Sequence, residues 1–265
     1  MADMKQLRTR IKSVDSTLHL TKAMGLVASS KIRRAGIAMS KSHDYLMAVN
    51  GIMKSLCASS ECKSSPFMTL RGNRTRLVVI AGDRGLAGGY NANVFRLVKT
   101  LDYQSVLPIG KRACERFHGE FISSEHFDAK TADSLAKKLI ADYLAGEYDR
   151  LAIVSTEYVS MMTQTAHVTQ VLPLTTSQNE SSATVFEPDR ESLLAAAVQE
   201  YVAGNVAYAV RESFASEVAA RRMAMDSAGK NAQQMIDELT IEYNTARQGA
   251  ITQEITEIVA GSGNN

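Results

Sequence analysis

A seven-residue repeat of apolar side chains runs along the first part of the chain and constrains the fold more than any other feature. With Ile11 at position a, thirteen of the sixteen a and d positions from Met4 to Leu56 hold a large apolar residue or alanine. A repeat this long predicts one helix with a narrow apolar seam, which packs against a single partner helix. A helix of about fifty residues is about 75 Å long.

A second repeat lies in the last quarter of the chain. Taking Ala215 as position a, its seam consists of Ala215, Val218, Arg222, Met225, Gly229, Ala232, Ile236, Leu239, Tyr243, Ala246 and Ala250. Beyond Ala250 the apolar residues leave this register, so the last turns of the helix face another direction. These later residues, called the apolar tip below, are Ile251, Ile255, Ile258 and Val259.

The two repeats carry opposite charges. Residues 1–60 hold ten Lys and Arg against three Asp and Glu, a net charge of 10 − 3 = +7. Residues 191–265 hold five against ten, a net charge of 5 − 10 = −5. Single exposed ion pairs contribute little stability. Two long seams of opposite charge in one chain nevertheless favour an intramolecular antiparallel coiled coil.

The size of Gly25 predicts how the two helices are aligned. Gly25 is the smallest a residue of the first repeat, so a bulky residue of the second, either Met225 or Val218, is expected beside it. The numbers of paired residues then add to 250 or to 243, and the chain beyond about Ala250 has no partner helix. The sequence therefore predicts that the apolar tip is buried only inside an enclosing socket.

Short apolar runs alternate with helical segments between the two repeats. The runs at 76–81, 106–110 and 150–156 are typical of buried parallel strands, helices are expected at 92–101, 111–119 and 129–144, and 158–174 predicts a hairpin. The fold class is therefore α/β, a long antiparallel coiled coil of N- and C-terminal helices with an inserted small, Rossmann-like three-layer α/β domain. The predicted domains are the N-terminal helix 1–57, a connector 58–75, the α/β domain 76–176, a linker or foot 177–190 and the C-terminal helix 191–261.

The glycine-rich stretch GDRGLAGG at 82–89 follows the first strand, where phosphate-binding loops occur. Its glycines match neither the phosphate-loop pattern, which needs a following Lys, nor the dinucleotide-binding pattern. A tight turn with close packing of strand and helix explains the glycines without a ligand. The five histidines are scattered, and the sequence contains no G-x-S-x-G motif, no H-E-x-x-H motif and no motif-like pairing of carboxylates. The sequence therefore predicts no catalytic residue, no metal and no cofactor.

Composition limits the setting and the class of partner. Three cysteines without C-x-x-C spacing, Cys57, Cys62 and Cys114, fit free thiols in a reducing compartment. We expect no secretory signal and no membrane-spanning run of 18 apolar residues. The basic cluster Lys31, Arg33 and Arg34 has no interleaved aromatic residues, which favours a protein partner over nucleic acid.

Five stretches together resemble the gamma subunit of the F-type rotary ATP synthase. They are TKAM at 21–24, VASSKIRRA at 27–35, AGDRGLAGGYN at 81–91, ASEVAARRMAMDSAGKNA at 215–232 and NTARQGAITQEITEIVAG at 244–261. The resemblance implies a non-catalytic central shaft inside a hexameric ring of alpha and beta subunits. It also implies a foot that rests with an epsilon subunit on a membrane-embedded c-ring. The expected location is the cytoplasmic face of the cell membrane, peripheral and through partner subunits only.

The resemblance also implies roles for individual residues. Contacts of the shaft with the alpha and beta subunits are expected at Met24, Glu217, Arg221, Arg247, Gln248, Thr252, Glu254, Ile255 and Ile258. Contacts of the foot with the epsilon subunit or the c-ring are expected at Phe186, Glu187, Pro188 and Asp189. Two other functions are open, a nucleotide-binding α/β enzyme and a generic coiled-coil scaffold. The missing phosphate-loop Lys argues against the first and the apolar tip against the second.

Overall fold

The computed structural model describes residues 2–58, 62, 64–175 and 190–262. Two long helices enclose an α/β segment in the chain. The elements are α1 (Ala2–Cys57), β1 (Thr75–Ile80), α2 (Tyr90–Val98), β2 (Ser105–Ile109), α3 (Lys111–Phe117), α4 (Ala129–Leu144), β3 (Arg150–Tyr158), β4 (Gln164–Leu172) and α5 (Arg190–Ser262). The predicted helices and the three predicted parallel strands are present among these residues, and their ends lie within three residues of the predicted ones.

The four strands form one mixed sheet in the order β2-β1-β3-β4. Strand β1 pairs in parallel with β2 and with β3, and β4 returns antiparallel beside β3 as the second strand of a hairpin. The predicted parallel sheet is confirmed. The hairpin predicted at 158–174 is wrong in its bounds, because its first strand is β3 itself and only β4 lies within that segment. Because β1 lies between its two parallel partners, the chain reverses its winding direction at β1 and β3, which creates a crevice at the carboxyl ends of these strands.

Alternate residues of β1 point into two different cores, which gives the domain its three layers. Val78 and Ile80 belong to a large core with α4 and with parts of α1 and α5. Leu77 and Val79 belong to a smaller core on the opposite face, against Val94 and Val98 of α2 and other apolar residues. The strand is buried on both faces, and this explains why its sequence is a continuous apolar run.

The chain divides into two compact units, Ser29–Arg221 and the pair Met1–Ala28 with Arg222–Asn265. The boundary passes through both long helices, whereas the sequence-based domains assign each helix to a domain of its own; those domain bounds remain a prediction. Within the first unit α1 and α5 are antiparallel neighbours. A Cβ placed on Gly204 would lie 3.3 Å from the ring of Tyr45 and 3.6 Å from Leu46, so paired residue numbers add to about 250.

Helix α5 is long and apolar enough, by length and composition, for part of Ser192–Gly261 to cross a membrane. Half of the 18-residue window that meets this criterion is buried inside the structure, and the first part of α5 packs in the core with the sheet and α1. Packing in a protein core is thus sufficient to explain its apolar composition.

Candidate functional site

The two-helix unit contains the part of the predicted seam from Met4 to Ala28 and from Arg222 to Ala250. Every a and d position of both repeats is at least partly buried, including Leu18, Thr21, Met225, Ala232 and Leu239. A Cβ placed on Gly25 would lie 3.7 Å from Cβ of Met225 and 3.0 Å from the guanidinium of Arg222. At Gly229 the same construction reaches the Thr21 hydroxyl at 3.6 Å. Both pairs have numbers that add to 250, so of the two predicted alignments the one with Met225 is confirmed and the one with Val218 is wrong.

The apolar tip extends beyond this seam. All side chains described from residue 251 to 261 are exposed, although four of them are large and apolar. The exposed fractions are 47% for Ile251, 56% for Ile255, 70% for Ile258 and 63% for Val259. An isolated helix end with this much apolar surface is a feature of interaction sites.

The polar residues expected to contact partner subunits lie beside the apolar tip. Arg247, Gln248, Thr252 and Glu254 are all exposed on α5. The Thr252 hydroxyl donates to the backbone carbonyl of Gln248 over 2.9 Å, so that it is satisfied within the helix. Arg247 and Glu254 present charged groups to solvent. Met24 on α1 is half-buried.

Glu217 and Arg221, which the resemblance assigned to partner contacts, do not face outward. Glu217 is only 2% exposed, and its carboxylate contacts the glycine-rich loop that follows β1. A Cβ placed on Gly82 would lie 2.7–3.0 Å from that carboxylate, so a larger residue there would require the Glu217 side chain to move. Arg221 forms an ion pair with Glu217 and donates from Nε and Nη2 to the Gly85 carbonyl over 3.3 and 3.2 Å. The Glu217 carboxylate is thus enclosed by its own subunit, and the contacts of Glu217 and Arg221 with partner subunits stay a prediction.

Burial dominates the electrostatics of the Glu217 carboxyl. Burial raises its pKa above the ordinary value, and this outweighs the opposing effects of the Arg221 guanidinium and the backbone N–H of Arg84. Arg221 is also mostly buried, so the pair is screened little by solvent.

Asp83 holds the same loop from its other side. Its carboxylate accepts hydrogen bonds from the Ser123 hydroxyl over 2.7 Å and from the backbone N–H groups of Lys111, Ser124 and Glu125 over 3.0–3.2 Å. Burial alone would raise the pKa of Asp83, but the four hydrogen bonds outweigh it and hold the pKa below its ordinary value. Asp83 was not predicted as a functional residue. Its place directly after the strand and first glycine was the available signal.

Helix α1 reaches this loop through charged side chains. Lys31 forms an ion pair and hydrogen bond with Glu125, and Arg84 lies 3.5 Å from the other oxygen of the same carboxylate. Part of the basic cluster on α1 is therefore engaged with its own subunit. Lys31 and Arg84 outweigh the desolvation of Glu125 and lower its pKa.

A polar face of α5 closes the crevice at the carboxyl ends of β1 and β3. The Ser213 hydroxyl accepts from the backbone N–H of Thr156 over 3.0 Å, and the Ser216 hydroxyl donates to the Thr156 carbonyl over 3.1 Å. Tyr90 donates from its hydroxyl to the Ser213 carbonyl over 3.0 Å. The sequence reasoning missed this face; polar residues at 212, 213, 216 and 217 within an otherwise apolar helix were its signal.

At the glycine loop, the Glu217 carboxylate takes the space next to Gly82. A phosphate at the glycine loop would need the space that the Glu217 carboxylate occupies. Within the described ranges no three His, Cys, Asp or Glu side chains come close enough to hold a metal ion. The four foot residues, Phe186, Glu187, Pro188 and Asp189, lie outside the described residues.

Comparisons with known proteins agree with this architecture. A family model described as ATP synthase matches residues 3–263. The ATP synthase gamma chain of Ruminococcus albus is 38% identical over 284 residues, which cover 100% of this chain and 99% of the relative. The ATP synthase gamma chain of Desulforamulus reducens is 37% identical over 279 residues, with 99% of both chains covered.

Solved structures share the fold at lower identity. A chain of the Euglena gracilis mitochondrial ATP synthase aligns with a TM-score of 0.71 at 16% identity, covering 99% of this chain and 94% of its own length. A chain from the central stalk and c-ring of the Tetrahymena thermophila enzyme gives 0.64 at 21% identity, covering 79% and 99%. Since the family model and the gamma-chain relatives both span nearly the whole sequence, the chain belongs to the ATP synthase gamma chain family.

Proposed function

We propose that this chain is the central rotor shaft of a rotary ATP synthase, the role of its gamma-chain relatives. It is a non-catalytic subunit, and the reaction of the complex takes place on other chains. Its partners are the hexameric ring of alpha and beta subunits, an epsilon subunit and a c-ring. Ion-driven rotation of the c-ring turns the shaft, and the shaft couples that rotation to ATP synthesis or hydrolysis at the beta subunits.

The observation that carries this proposal is the exposed apolar tip. Burial of an isoleucine or valine side chain stabilises by about 1.5–3 kcal/mol, so four such side chains left in water represent a large unused contribution. A ring of subunits that encloses the end of α5 supplies the missing burial. A generic coiled-coil scaffold would give no reason for an apolar end that leaves the seam.

Rotation of an asymmetric shaft can change the state of its neighbours only through unequal contacts. A partner shifts a conformational equilibrium by its difference in affinity for the two states and by nothing else. The tip is suited to this because its charged and apolar groups differ around the helix. We assign the contacts with alpha and beta subunits to Met24, Arg247, Gln248, Thr252, Glu254, Ile255 and Ile258. The guanidinium of Arg247 suits bidentate binding of a partner carboxylate.

The remaining parts of the proposal rest on the resemblance. We assign contacts with the epsilon subunit or the c-ring to the segment that contains Phe186 and Asp189. The complex is membrane-associated, and we place this chain on the cytoplasmic face of the cell membrane, attached through its partners. Buried free thiols at Cys57 and Cys114 support a reducing compartment.

Limited proteolysis of a reconstituted complex tests the proposal. The purified chain is mixed with alpha, beta and epsilon subunits of the same enzyme, and assembly is followed by size-exclusion chromatography with light scattering. Trypsin should cleave after Arg247 in the free subunit and much more slowly in the complex. Cleavage after the exposed Lys99 of the α/β domain is the internal control. Failure to assemble, or equal cleavage after Arg247 in both states, would contradict an enclosed shaft.

A further inference from the structure

The glycine loop of this domain lies where phosphate-binding loops occur in α/β domains, but a side-chain carboxylate lies against it. In α/β domains of this topology, ligands bind in the crevice where the strand order reverses, with phosphate held by backbone N–H groups of a glycine-rich loop. Here the loop after β1 meets the carboxylate of Glu217. That carboxylate is supplied by α5, the helix that continues to the apolar tip.

We propose that Glu217 is a built-in anion for the glycine loop, which occupies the place of a phosphate and, with Arg221, latches the α/β domain to α5. Glu217 is a positioning residue in this proposal, since it acts on the loop and not on a substrate. The latch goes beyond the shaft function proposed above, although its effect on coupling rests on that function.

The fit between loop and carboxylate supports the built-in anion. Gly82 lies so close to Glu217 that a Cβ atom on it would come within 3.0 Å of both carboxylate oxygens. The Gly82 backbone N–H is directed elsewhere, to the Asn91 side chain over 2.9 Å, which fixes the start of the loop. The carboxylate lies between the Gly82 backbone on one side and the Arg221 guanidinium on the other.

The Glu217 carboxylate has a positively charged neighbour in direct contact, Arg221, and a negatively charged one nearby, Asp83. Arg221 supplies a positive charge in direct contact with Glu217, and it binds the loop at the Gly85 carbonyl at the same time. Asp83 and Tyr90 face the same region. Asp83 is separately stabilised by its four donors, and Tyr90 is neutral because burial raises its pKa.

The contacts of Glu217 and Arg221 complete a two-point attachment. One point is the glycine loop at the end of β1; the other is Thr156 near the end of β3, held by Ser213 and Ser216. Both points lie within about two turns of α5. If α5 rotated relative to the sheet, it would break the charged contacts at the glycine loop and the neutral hydrogen bonds at Thr156. The helix and the α/β domain are therefore held to rotate together.

Chemical rescue in the free subunit tests the built-in anion. Glu217→Ala removes the carboxylate and leaves a space lined by Arg221 and the loop, and its thermal unfolding is measured at pH 7.5 in sodium acetate and in sodium chloride of equal ionic strength. The variant should melt below wild type in chloride and recover part of the loss in acetate. Glu238→Ala, an exposed change on the same helix, is the matched control and should not respond to acetate. An equal acetate response in all three proteins would overturn the built-in anion.

Coupling in the assembled enzyme tests the latch. Glu217→Gln keeps the shape of the side chain and removes its charge, so the subunit should fold and assemble. In complexes reconstituted into vesicles, we expect a lower ratio of protons pumped to ATP hydrolysed than in wild type, with partial recovery in Glu217→Asp. A wild-type ratio in a correctly assembled Glu217→Gln complex would overturn the latch. If the wild-type chain failed to support pumping, the result would contradict the shaft function and not the latch. The acetate experiment uses the free subunit, so its result does not depend on either pumping measurement.

Discussion

Glu217 and Gly25 show how much a single position contributes to this subunit. Glu217 belongs to a stretch that resembles a partner-contacting surface, yet its carboxylate is enclosed by the loop after β1. Gly25 lacks the side chain that would separate the two helices, so that Arg222 and Met225 approach its backbone. In both cases a glycine makes room for a larger neighbour: Gly82 for Glu217, and Gly25 for Arg222 and Met225.

The four hydrogen bonds to Asp83 predict a pH-dependent stability. The folded state lowers the pKa of this carboxyl below its ordinary value of 3.8. Its contribution is therefore fully present above about pH 3.8 and is lost as the pH falls through the lower folded pKa. Asp83→Asn should reduce the free energy of unfolding at pH 7 by about 1–3 kcal/mol, since two or more donors lose their acceptor. Urea denaturation at pH 7 and near pH 3 measures this difference, which should shrink at the lower pH. A difference that stays constant or grows on acidification would contradict it.

The register at Gly25 predicts a specific cross-link. Disulfide-bonded cysteines have Cβ atoms about 3.5–4.5 Å apart, and a Cβ on Gly25 would lie 3.7 Å from that of Met225. Gly25→Cys with Met225→Cys, in a chain whose three native cysteines are replaced by serine, should oxidise readily to an intramolecular disulfide. Non-reducing electrophoresis with mass spectrometry detects it. Gly25→Cys with Ala232→Cys, two turns further along the same seam, should not cross-link, and the reverse result would refute the register.

Helix α5 performs three tasks along its length. Its first part packs against the sheet, with Val202, Val206 and Val210 fully buried; its middle part pairs with α1, and its last part is exposed. The change from one task to the next follows the spacing of apolar residues, because a helix keeps one face toward a given neighbour only while its repeat is maintained. One continuous element thus connects the α/β domain with the proposed partner-binding tip.

Polar contacts of the tip predict a loss of turnover without unfolding. Arg247 and Gln248 are exposed and lie outside the seam, so Arg247→Ala with Gln248→Ala should leave the melting temperature of the free subunit unchanged. In the assembled complex we expect turnover to fall about tenfold, since a hydrogen bond to a charged group contributes about 1.5–3 kcal/mol and about 1.4 kcal/mol corresponds to a factor of ten. Steady-state ATP hydrolysis measures this. Glu238→Ala serves as the exposed control, and wild-type turnover of the double variant would show that these contacts carry no function.

The molecule as a whole is expected to act without binding a nucleotide itself. The crevice at the ends of β1 and β3 is closed by α5, and the Glu217 carboxylate occupies the loop. The phosphates of a nucleoside triphosphate would be repelled by that carboxylate and would have to displace the Glu217 side chain. Isothermal titration calorimetry of the purified chain with ATP and Mg²⁺ should give no heat of tight binding, and the chain alone should not hydrolyse ATP. Micromolar affinity would show that the crevice opens and would contradict this account.

Periodic features of this protein were determined by the sequence alone. The two seven-residue repeats, the exposed turns after Ala250 and the alternation of strands and helices all depend on spacing along one chain. Such local patterns are independent of how distant segments meet. For this reason the helix ends and the tip agree with the structure. The sequence left Met225 and Val218 open as the neighbour of Gly25, and the packing of the two helices selected Met225.

Only the tertiary structure decided what α5 does at the glycine loop. The sequence shows Glu217 and Arg221 one helical turn apart, a spacing equally suited to an exposed ion pair and to a buried one. Their burial depends on where the carboxyl ends of β1 and β3 meet α5, which brings residues more than a hundred positions apart into contact. Asp83 collects its donors in the same way, from segments about thirty to forty residues further along the chain. No periodic pattern in the sequence predicts such long-range contacts, because they depend on the packing of the whole domain.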